Sequence, residues 1–372
     1  MKYRLGELIE SVSKTYDLKN KKSVTFVNTG DVFDGSISGN ETKIKDLPGQ
    51  AKKSIELNDI LFSEIRPKNK RFALVTGIDP KNYVVSTKLM VLRNKNNLVL
   101  DTNYLYFYLT SPLMLAYFQS EAESRSGTFP QITFRENVAN IKIDLPPLIE
   151  QRKIVQRLSV VNDKVKLNNQ INDNLDALLT NIFKKYMIND GFEKSNLTQI
   201  ANYKNGLAMQ KYRPNSNEES LPVLKIKELN QGNTDDSSDR CSANLDNSVI
   251  VNTGDIIFSW SGTLLVKNWT GDKAGLNQHL FKVTSNKYPA WFIYEWTKYH
   301  LLRFQAIAAG KATTMGHIKR SDLKSSLVYI PSQLFLAKMD SQLAPIYSQR
   351  LNLIKENQQL SKLKQTLLKK YF

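Results

Sequence analysis

Cysteine and histidine are scarce in this sequence of 372 residues, which has one cysteine and three histidines. The single cysteine, Cys241, allows no internal disulfide, and this favours a reducing compartment. The histidines His279, His300 and His317 lack the closely spaced Cys/His pairs of a structural zinc site. We therefore expect a cytoplasmic protein that contains neither an internal disulfide nor a structural zinc ion.

Long apolar runs are also missing. The N-terminal segment 1–7 lacks the apolar core of a signal peptide. The most apolar stretch, Tyr104–Phe118, contains Pro112 and is shorter than the roughly 20 residues that a membrane span requires. The sequence thus predicts a soluble protein with no membrane partner.

Motifs for catalysis and cofactors are absent as well. No glycine-rich dinucleotide loop or P-loop follows any predicted strand. Asp144–Leu148 resembles the Asp-Pro-Pro-aromatic tetrapeptide of DNA amino-methyltransferases only in part, because it has an inserted leucine and no aromatic residue. Glu41–Lys43 and Asp322–Lys324 contain the acidic-x-Lys fragment of nuclease sites, which a lysine-rich chain produces by chance. We predict no catalytic residue, no metal and no cofactor.

Positive charge, by contrast, is abundant. The chain has 52 Lys and Arg against 35 Asp and Glu, a formal net charge of +17. These cations are spread along the whole chain, which favours binding to a polyanion such as nucleic acid. The length suggests about two domains, and 41% hydrophobic residues are enough to build their cores.

An internal repeat organises the chain. Asp59–Ser63 reappears as Asp255–Ser259 at a shift of 196 residues. Further matches occur at smaller shifts of 186 and 185: Tyr108 with Tyr294, Phe118-Gln119 with Phe304-Gln305, Ile132 with Ile318, Pro146 with Pro331, and Lys184–Tyr186 with Lys369–Tyr371. The falling shift predicts extra residues in the first copy, in surface loops between Ser63 and Tyr108.

The first part of each copy is typical of a mixed sheet domain, because short apolar runs alternate with turn residues. The predicted strands are Val24–Val27, Phe72–Val75, Tyr83–Val85 and Leu89–Leu92, then Val223–Ile226, Asp255–Phe258, Leu264–Val266 and Leu280–Val283. A helical segment interrupts each set, over Asn103–Ser120 and Ala290–Ala306.

A long helix follows Pro146 and Pro331 in the two copies. Its seam steps by four and three residues, the heptad pattern of paired helices: Ile154, Leu158, Val161, Val165, Asn168, Asn172, Leu175, Leu179 and Ile182, then Met339, Leu343, Ile346, Arg350, Leu353, Asn357, Leu360, Lys364 and Leu367. Pro345 lies inside the second helix, where proline kinks or divides a helix. We predict an α+β fold, with two tandem mixed α/β domains separated by two long helices that pair as an antiparallel coiled coil, in a pseudo-two-fold repeat.

One candidate nucleic-acid loop follows the strand at Ser63. It carries four cations that could contact phosphates, Arg66, Lys68, Lys70 and Arg71. A solvated basic hairpin is the alternative. At the equivalent place in the second copy stand small polar groups around a tryptophan, Ser259, Trp260, Ser261 and Thr263, which suit close approach to a groove. The tryptophan could equally belong to the core.

A second candidate loop lies ahead of the helix joint in each copy. It combines cations, hydroxyls and amide or imidazole groups that could contact phosphates and base edges: Arg125, Ser126, Thr128 and Gln131 in the first copy, Lys311, Thr313, Thr314 and His317 in the second. A structural turn is the alternative interpretation.

The whole chain resembles a specificity subunit of a type I restriction-modification system. The resemblance depends on the duplicated layout, on Leu145–Ile154, which contains Pro-Pro-Leu-x-Glu-Gln-Arg-x-Ile, and on Gly254–Thr263. Two short strings, Asn205–Ala208 and Leu276–His279, also look like the family.

The resemblance implies a non-catalytic subunit that reads a bipartite target in double-stranded DNA. It implies target recognition domains at 1–145 and 188–330 and spacer helices at 146–187 and 331–372. Two methyltransferase subunits would dock on these helices, with Glu150, Gln151 and Arg152 as contacts, and restriction and translocase subunits could join. The second joint departs from the pattern, because Phe335–Ala337 replaces Glu-Gln-Arg.

Two other functions remain open from the residues alone. One is a stand-alone basic scaffold that binds DNA or RNA without an enzyme partner. The other is an enzyme with an unrecognised site, which the missing loops and scarce histidine disfavour.

Overall fold

Strands and helices alternate in both halves of the chain, so the predicted mixed helix and strand content is confirmed. The structure, a computed structural model, describes residues 1–124, 130–235, 237–310 and 316–372. Its contacts divide the chain into two units, one of Met1–Asp163 with Lys362–Phe372 and the other of Lys164–Ser361. Both units contain part of each long helix.

The strands of the first unit are β1 (Lys2–Arg4), β2 (Ile9–Val12), β3 (Ser23–Val27), β4 (Val32–Phe33), β5 (Ser36–Ile37), β6 (Asn40–Lys43), β7 (Ala51–Lys53), β8 (Ile60–Ser63), β9 (Phe72–Leu74), β10 (Tyr83–Ser86), β11 (Leu89–Asn94) and β12 (Lys142–Asp144). Its helices are α1 (Leu5–Leu8), α2 (Thr102–Leu109), α3 (Pro112–Glu123) and the first part of α4 (Leu148–Met187).

The strands of the second unit are β13 (Glu193–Asn196), β14 (Asn202–Asn205), β15 (Ser220–Leu224), β16 (Arg240–Ser242), β17 (Ile250–Val251), β18 (Ile256–Ser259), β19 (Leu265–Asn268), β20 (Ala274–Leu276), β21 (Leu280–Thr284) and β22 (Leu327–Ile330). Its other helices are α5 (Leu197–Ile200), α6 (Ile226–Gln231), α7 (Ala290–Tyr299), α8 (Leu301–Ala309), α9 (Arg320–Lys324) and most of α10 (Gln333–Tyr371).

The sheets of the two units correspond. Each unit has a two-stranded sheet that joins its first and last strands, β1-β12 and β13-β22. An antiparallel four-stranded sheet has the order β2-β11-β8-β9 in one unit and β14-β21-β18-β19 in the other. A mixed sheet has the order β6-β3-β10-β7 or β16-β15-β20-β17, with one parallel pair in each.

The hairpin after Ser63 shows where the first copy has gained residues. Phe62 pairs with Phe72 in the first unit, whereas Phe258 pairs with Val266 in the second. The loop between the paired strands is therefore two residues longer in the first unit, within the region that the falling shift indicates. The additional length lies in the basic segment.

Some predicted strands and helices differ from those in the structure. The strand predicted to end at Ile226 ends at Leu224, because the Glu228 carboxylate accepts a hydrogen bond from the Lys225 N–H and starts α6 there. The helix predicted over Asn103–Ser120 is two helices, since the Ser111 hydroxyl caps α3 at the Met114 N–H. The second helical segment is likewise divided, at His300.

The long helices place every seam residue in a buried or partly buried position. In the first unit Leu158 and Leu368 belong to one apolar core. In the second unit Asn168 donates a hydrogen bond to Asn357 (2.9 Å), and Phe183 shares a core with Leu343. The helix α10 continues through Pro345, so proline does not divide it. Within the described residues, no helix combines the length and apolarity needed to cross a membrane.

Candidate nucleic-acid interface

The two predicted loop regions of the first unit lie side by side. Ile65 forms a β-bridge with Gln131, and the Arg66 N–H donates to the Pro130 carbonyl at 3.0 Å. The Ile132 N–H donates to the Glu64 carbonyl at 2.9 Å. Residues far apart in the sequence are thus joined by backbone hydrogen bonds.

The second unit repeats this arrangement. Ser261 bridges His317, the Gly262 N–H donates to the Gly316 carbonyl at 2.9 Å, and the Ile318 N–H donates to the Trp260 carbonyl at 3.0 Å. These bonds recur at the shifts of 196 and 186 that the repeat predicts.

A third segment completes the arrangement in each unit. The Glu64 N–H donates to the Lys88 carbonyl at 3.2 Å, and the Trp260 N–H donates to the His279 carbonyl at 3.3 Å. We call the joined segments the loop frame: residues 64–66, 87–88 and 130–132 in the first unit, and residues 260–262, 278–279 and 316–318 in the second. Only the side chains on this shared backbone differ.

Ser259 and Ser261, two of the predicted DNA contacts, are both buried in this structure. Ser259 has no exposed surface and Ser261 is 3% exposed. The Ser259 hydroxyl donates to the Ser261 carbonyl at 3.2 Å, as Ser63 does to Ile65 in the first unit. A serine at the end of the strand therefore closes the turn instead of facing a ligand. Thr263 is exposed.

The basic loop holds its cations on a tight turn. Arg66 and Lys70 have left-handed backbone conformations (φ +48° and +54°) on either side of a one-turn helix at Pro67–Asn69. The Lys68 N–H donates to the Gln119 side chain at 3.2 Å, which ties the loop to α3. Arg66 and Lys68 are exposed and Lys70 is half-buried.

Arg71 differs from the other three cations. It is half-buried, and its Nη1 donates to the Thr29 hydroxyl at 3.2 Å. We therefore expect it to stabilise the loop more than to bind phosphate.

An aromatic and amide cluster occupies the loop frame of the second unit. The Trp260 indole N–H donates to the Asn205 Oδ1 at 3.0 Å. The indole ring stacks on Phe281 with 5.7 Å between centroids, and it lies 5.8 Å from His279 and 6.4 Å from His317. The tryptophan is partly buried, so it acts both as core and as part of the surface.

Asn205, Gln278 and His279 join this cluster, although sequence reasoning did not select them as site residues. Their signal was the pair of short strings that resemble the family. The Leu207 N–H donates to the Leu276 carbonyl at 2.9 Å, which brings the two strings together.

Gly206 is required for this approach. A Cβ at this position would lie 2.2 Å from the Leu276 carbonyl oxygen and 2.3 Å from that of Asn277. We expect Gly206→Ala to destabilise the second unit by about 1 to 3 kcal/mol, as overpacking of a rigid site does, in a denaturant-unfolding measurement. Gly49→Ala is the control, because its Cβ would meet nothing within 4 Å. Equal stability of the two variants would contradict the assignment.

Six of the predicted contacts lie outside the described residues: Arg125, Ser126, Thr128, Lys311, Thr313 and Thr314. The remaining members of those loops, Gln131 and His317, occupy equivalent bridge positions of the loop frame.

One predicted partner contact, Gln151, lies inside the helix joint. Gln151 has no exposed surface, and its side-chain amide forms three hydrogen bonds of 2.9 Å or less. Its Oε1 accepts from the Asp101 N–H, and its Nε2 donates to the carbonyls of Val99 and Pro146. Glu150 and Arg152 are exposed.

Comparisons with known proteins agree on one class. The family model described as the type I restriction modification DNA specificity domain matches twice, at residues 1–177 and 189–358. The chain therefore belongs to the family of type I restriction-modification DNA specificity subunits, which recognise sequence and carry no catalytic site of their own.

Individual relatives are more distant. The type I restriction enzyme HindI specificity subunit of Haemophilus influenzae is 43% identical over 50% of this chain, a match that spans 40% of that relative. The type I restriction enzyme MjaIX specificity subunit of Methanocaldococcus jannaschii is 25% identical over 97% of this chain and 94% of its own length. The crystal structure of the S subunit from M. genitalium covers the whole chain and 96% of its own length at 15% identity with a TM-score of 0.50, which supports the fold.

Proposed function

We propose that this chain reads a bipartite DNA target and docks two methyltransferase subunits, to which restriction and translocase subunits can be added. Residues 1–145 and 188–330 act as the two target recognition domains. Each domain reads one half of the target, and the partner subunits supply the chemistry, including flipping and methylation of a base.

The observation that carries this proposal is the loop frame. The same backbone hydrogen bonds occur in both units, yet the first presents Arg66 and Lys88 where the second presents Gly262 and His279. A shared backbone that carries different side chains suits two domains that recognise different DNA sequences, because base edges are distinguished by side-chain donors and acceptors.

We propose that residues 146–187 and 331–372 form an antiparallel coiled-coil spacer between the domains. Contacts inside each unit support the pairing. Arg157 donates to the Tyr371 hydroxyl at 2.7 Å in the first unit, and Asn168 donates to Asn357 in the second. Position numbers rise along one helix as they fall along the other. Seam asparagines cost stability but fix register.

Exposed aliphatic side chains on α4 and α10 support partner docking. Ile149 is 63% exposed in the first turn of α4, and Leu334 is 84% exposed at the equivalent position of α10. A second set on α4 lies on one face beside the seam: Val160, Leu167, Ile171 and Leu178. Apolar groups displayed on a helix are typical of a surface that another protein covers.

Co-purification tests the proposal. The chain, expressed with a type I methyltransferase subunit, should co-purify with it and methylate one split DNA motif. If the chain binds duplex DNA tightly and with sequence preference while no methyltransferase associates, the stand-alone scaffold is favoured and the proposal fails.

The basic loop gives a quantitative prediction. Replacing Lys68 and Lys70 by glutamine should reduce the slope of log affinity against log salt concentration by up to about 1.8, because each phosphate contact contributes about 0.9 to that slope. Lys2→Gln with Lys142→Gln removes two exposed cations from the β1-β12 sheet as a control. An unchanged slope for the loop variant, or an equal change for both, would contradict phosphate binding by the loop.

A further inference from the structure

We propose that Asn205 and Gln278, with His279, form the base-reading site of the second recognition domain, and that their amides read an adenine in the major groove. The inference depends on the proposed function, which supplies the DNA. It adds residues that the loop candidates did not include and assigns them a chemical class of ligand.

Asn205 is held in one orientation. Its Oδ1 accepts the indole N–H of Trp260 at 3.0 Å, which fixes the side chain and directs the Nδ2 group away from the indole. No other residue in the described part of the chain bonds that Nδ2 group, and the side chain is only partly buried. A fixed amide with a free donor loses little side-chain entropy when it binds a base.

Gln278 is fixed by its neighbour. Its Nε2 lies 3.3 Å from Nε2 of His279. This contact engages the Gln278 amide nitrogen, which is a donor. It leaves the Gln278 Oε1 as an acceptor. The His279 Nδ1 is buried and has no hydrogen-bond partner among the described residues.

The cluster therefore offers amide donors and acceptors with no net charge. Adenine presents N7 as an acceptor and N6 as a donor in the major groove, and amide side chains match this pair. The Trp260 ring, which holds Asn205, is itself stacked on Phe281. The exposed Arg320 guanidinium lies 5.6 Å from the Phe281 ring centroid and donates to the Tyr203 carbonyl at 3.3 Å, which places a cation at the edge of the cluster.

The first unit presents different chemistry at the same positions. Thr87 and Lys88 correspond to Gln278 and His279, since Leu89 pairs with Ser63 as Leu280 pairs with Ser259. Lys88 is exposed, and a lysine in the groove matches the O6 and N7 acceptors of guanine. The two domains thus differ in the base that each frame accepts.

The test uses the complete complex with its methyltransferase and sequencing of the methylated motif. Gln278→Ala should relax one base position in the second half of the motif by about tenfold or more and leave the first half unchanged. Gln278→Glu keeps an oxygen acceptor in the same shape, so the preference for a base with an amino donor in the major groove, adenine N6 or cytosine N4, should be kept. Gln231→Ala, an exposed amide at the end of α6, should leave the motif unchanged.

Each outcome decides one claim. Relaxed preference confined to the second half supports the inference. Provided that the wild-type complex methylates a split motif, three results overturn the inference. These are an equal loss of affinity for all sequences, an unchanged motif, and a change in the first half. If the wild-type complex methylates no split motif, the proposed function itself fails. Unfolding temperatures of the variants identify a loss that arises from folding.

Discussion

Replacing Asp176 by alanine is expected to destabilise the second unit by about 3 to 5 kcal/mol, the usual cost of leaving a buried charge without its partner. Asp176 lies on α4 and forms an ion pair with Arg350 of α10 at 2.7 Å. The Arg350 residue is 6% exposed. Without the carboxylate, water cannot readily solvate this guanidinium.

The same carboxylate has further partners on α7. Lys298 donates to Asp176 at 2.5 Å, and the Tyr294 hydroxyl donates to it at 3.3 Å. The alanine variant therefore removes the charge that joins α4, α7 and α10 within the unit. In the repeat, Val165 takes the place of Arg350, so the first copy has no equivalent arginine.

Denaturant unfolding measures this effect, with Asp173→Ala as the matched control. Asp173 is exposed on the same helix, three residues away. We expect the control to change stability by less than about 0.5 kcal/mol, as most exposed substitutions do. A similar small change for Asp176→Ala would contradict the role of the ion pair.

Glu295 should make the stability of the second unit fall as the pH rises. Burial raises the pKa of Glu295 to about 7, with Lys298 and Arg350 opposing and Asp176 reinforcing the rise. Because this pKa exceeds that of an unfolded glutamate, the folded state binds more protons between about pH 4.5 and 7. Stability is therefore largest below this window and is lost as the carboxyl ionises.

Glu295→Gln removes this pH dependence. The variant is expected to gain stability relative to the wild type between pH 5 and pH 8, by up to about 3 kcal/mol, since each pKa unit corresponds to about 1.4 kcal/mol. Unfolding free energies of both proteins at several pH values test the claim. A difference that stays constant with pH, or that falls, would contradict it.

Several strands were predictable because they depend on local pattern. The apolar run Asp255–Phe258 predicted a strand, and β18 begins one residue later. The heptad seam predicted the burial of Leu158 and Leu343, since the spacing of apolar residues sets the face of a helix.

The direction of individual polar side chains was not predictable. Ser259 and Gln151 have the polar groups of a binding site, but both use them to satisfy backbone groups in the interior. Composition does not distinguish these uses. Asn205 and Gln278 were missed for a related reason, because their proximity depends on strand pairing across more than 70 residues.

Exchange of residues 1–145 for the corresponding domain of another specificity subunit tests the central claim most directly. The chimaera, in complex with its methyltransferase, is examined by sequencing methylated bases. We predict that one half of the split motif changes and that the other half, which residues 188–330 read, stays the same. A motif in which both halves change, or neither does, would contradict separate recognition by the two domains.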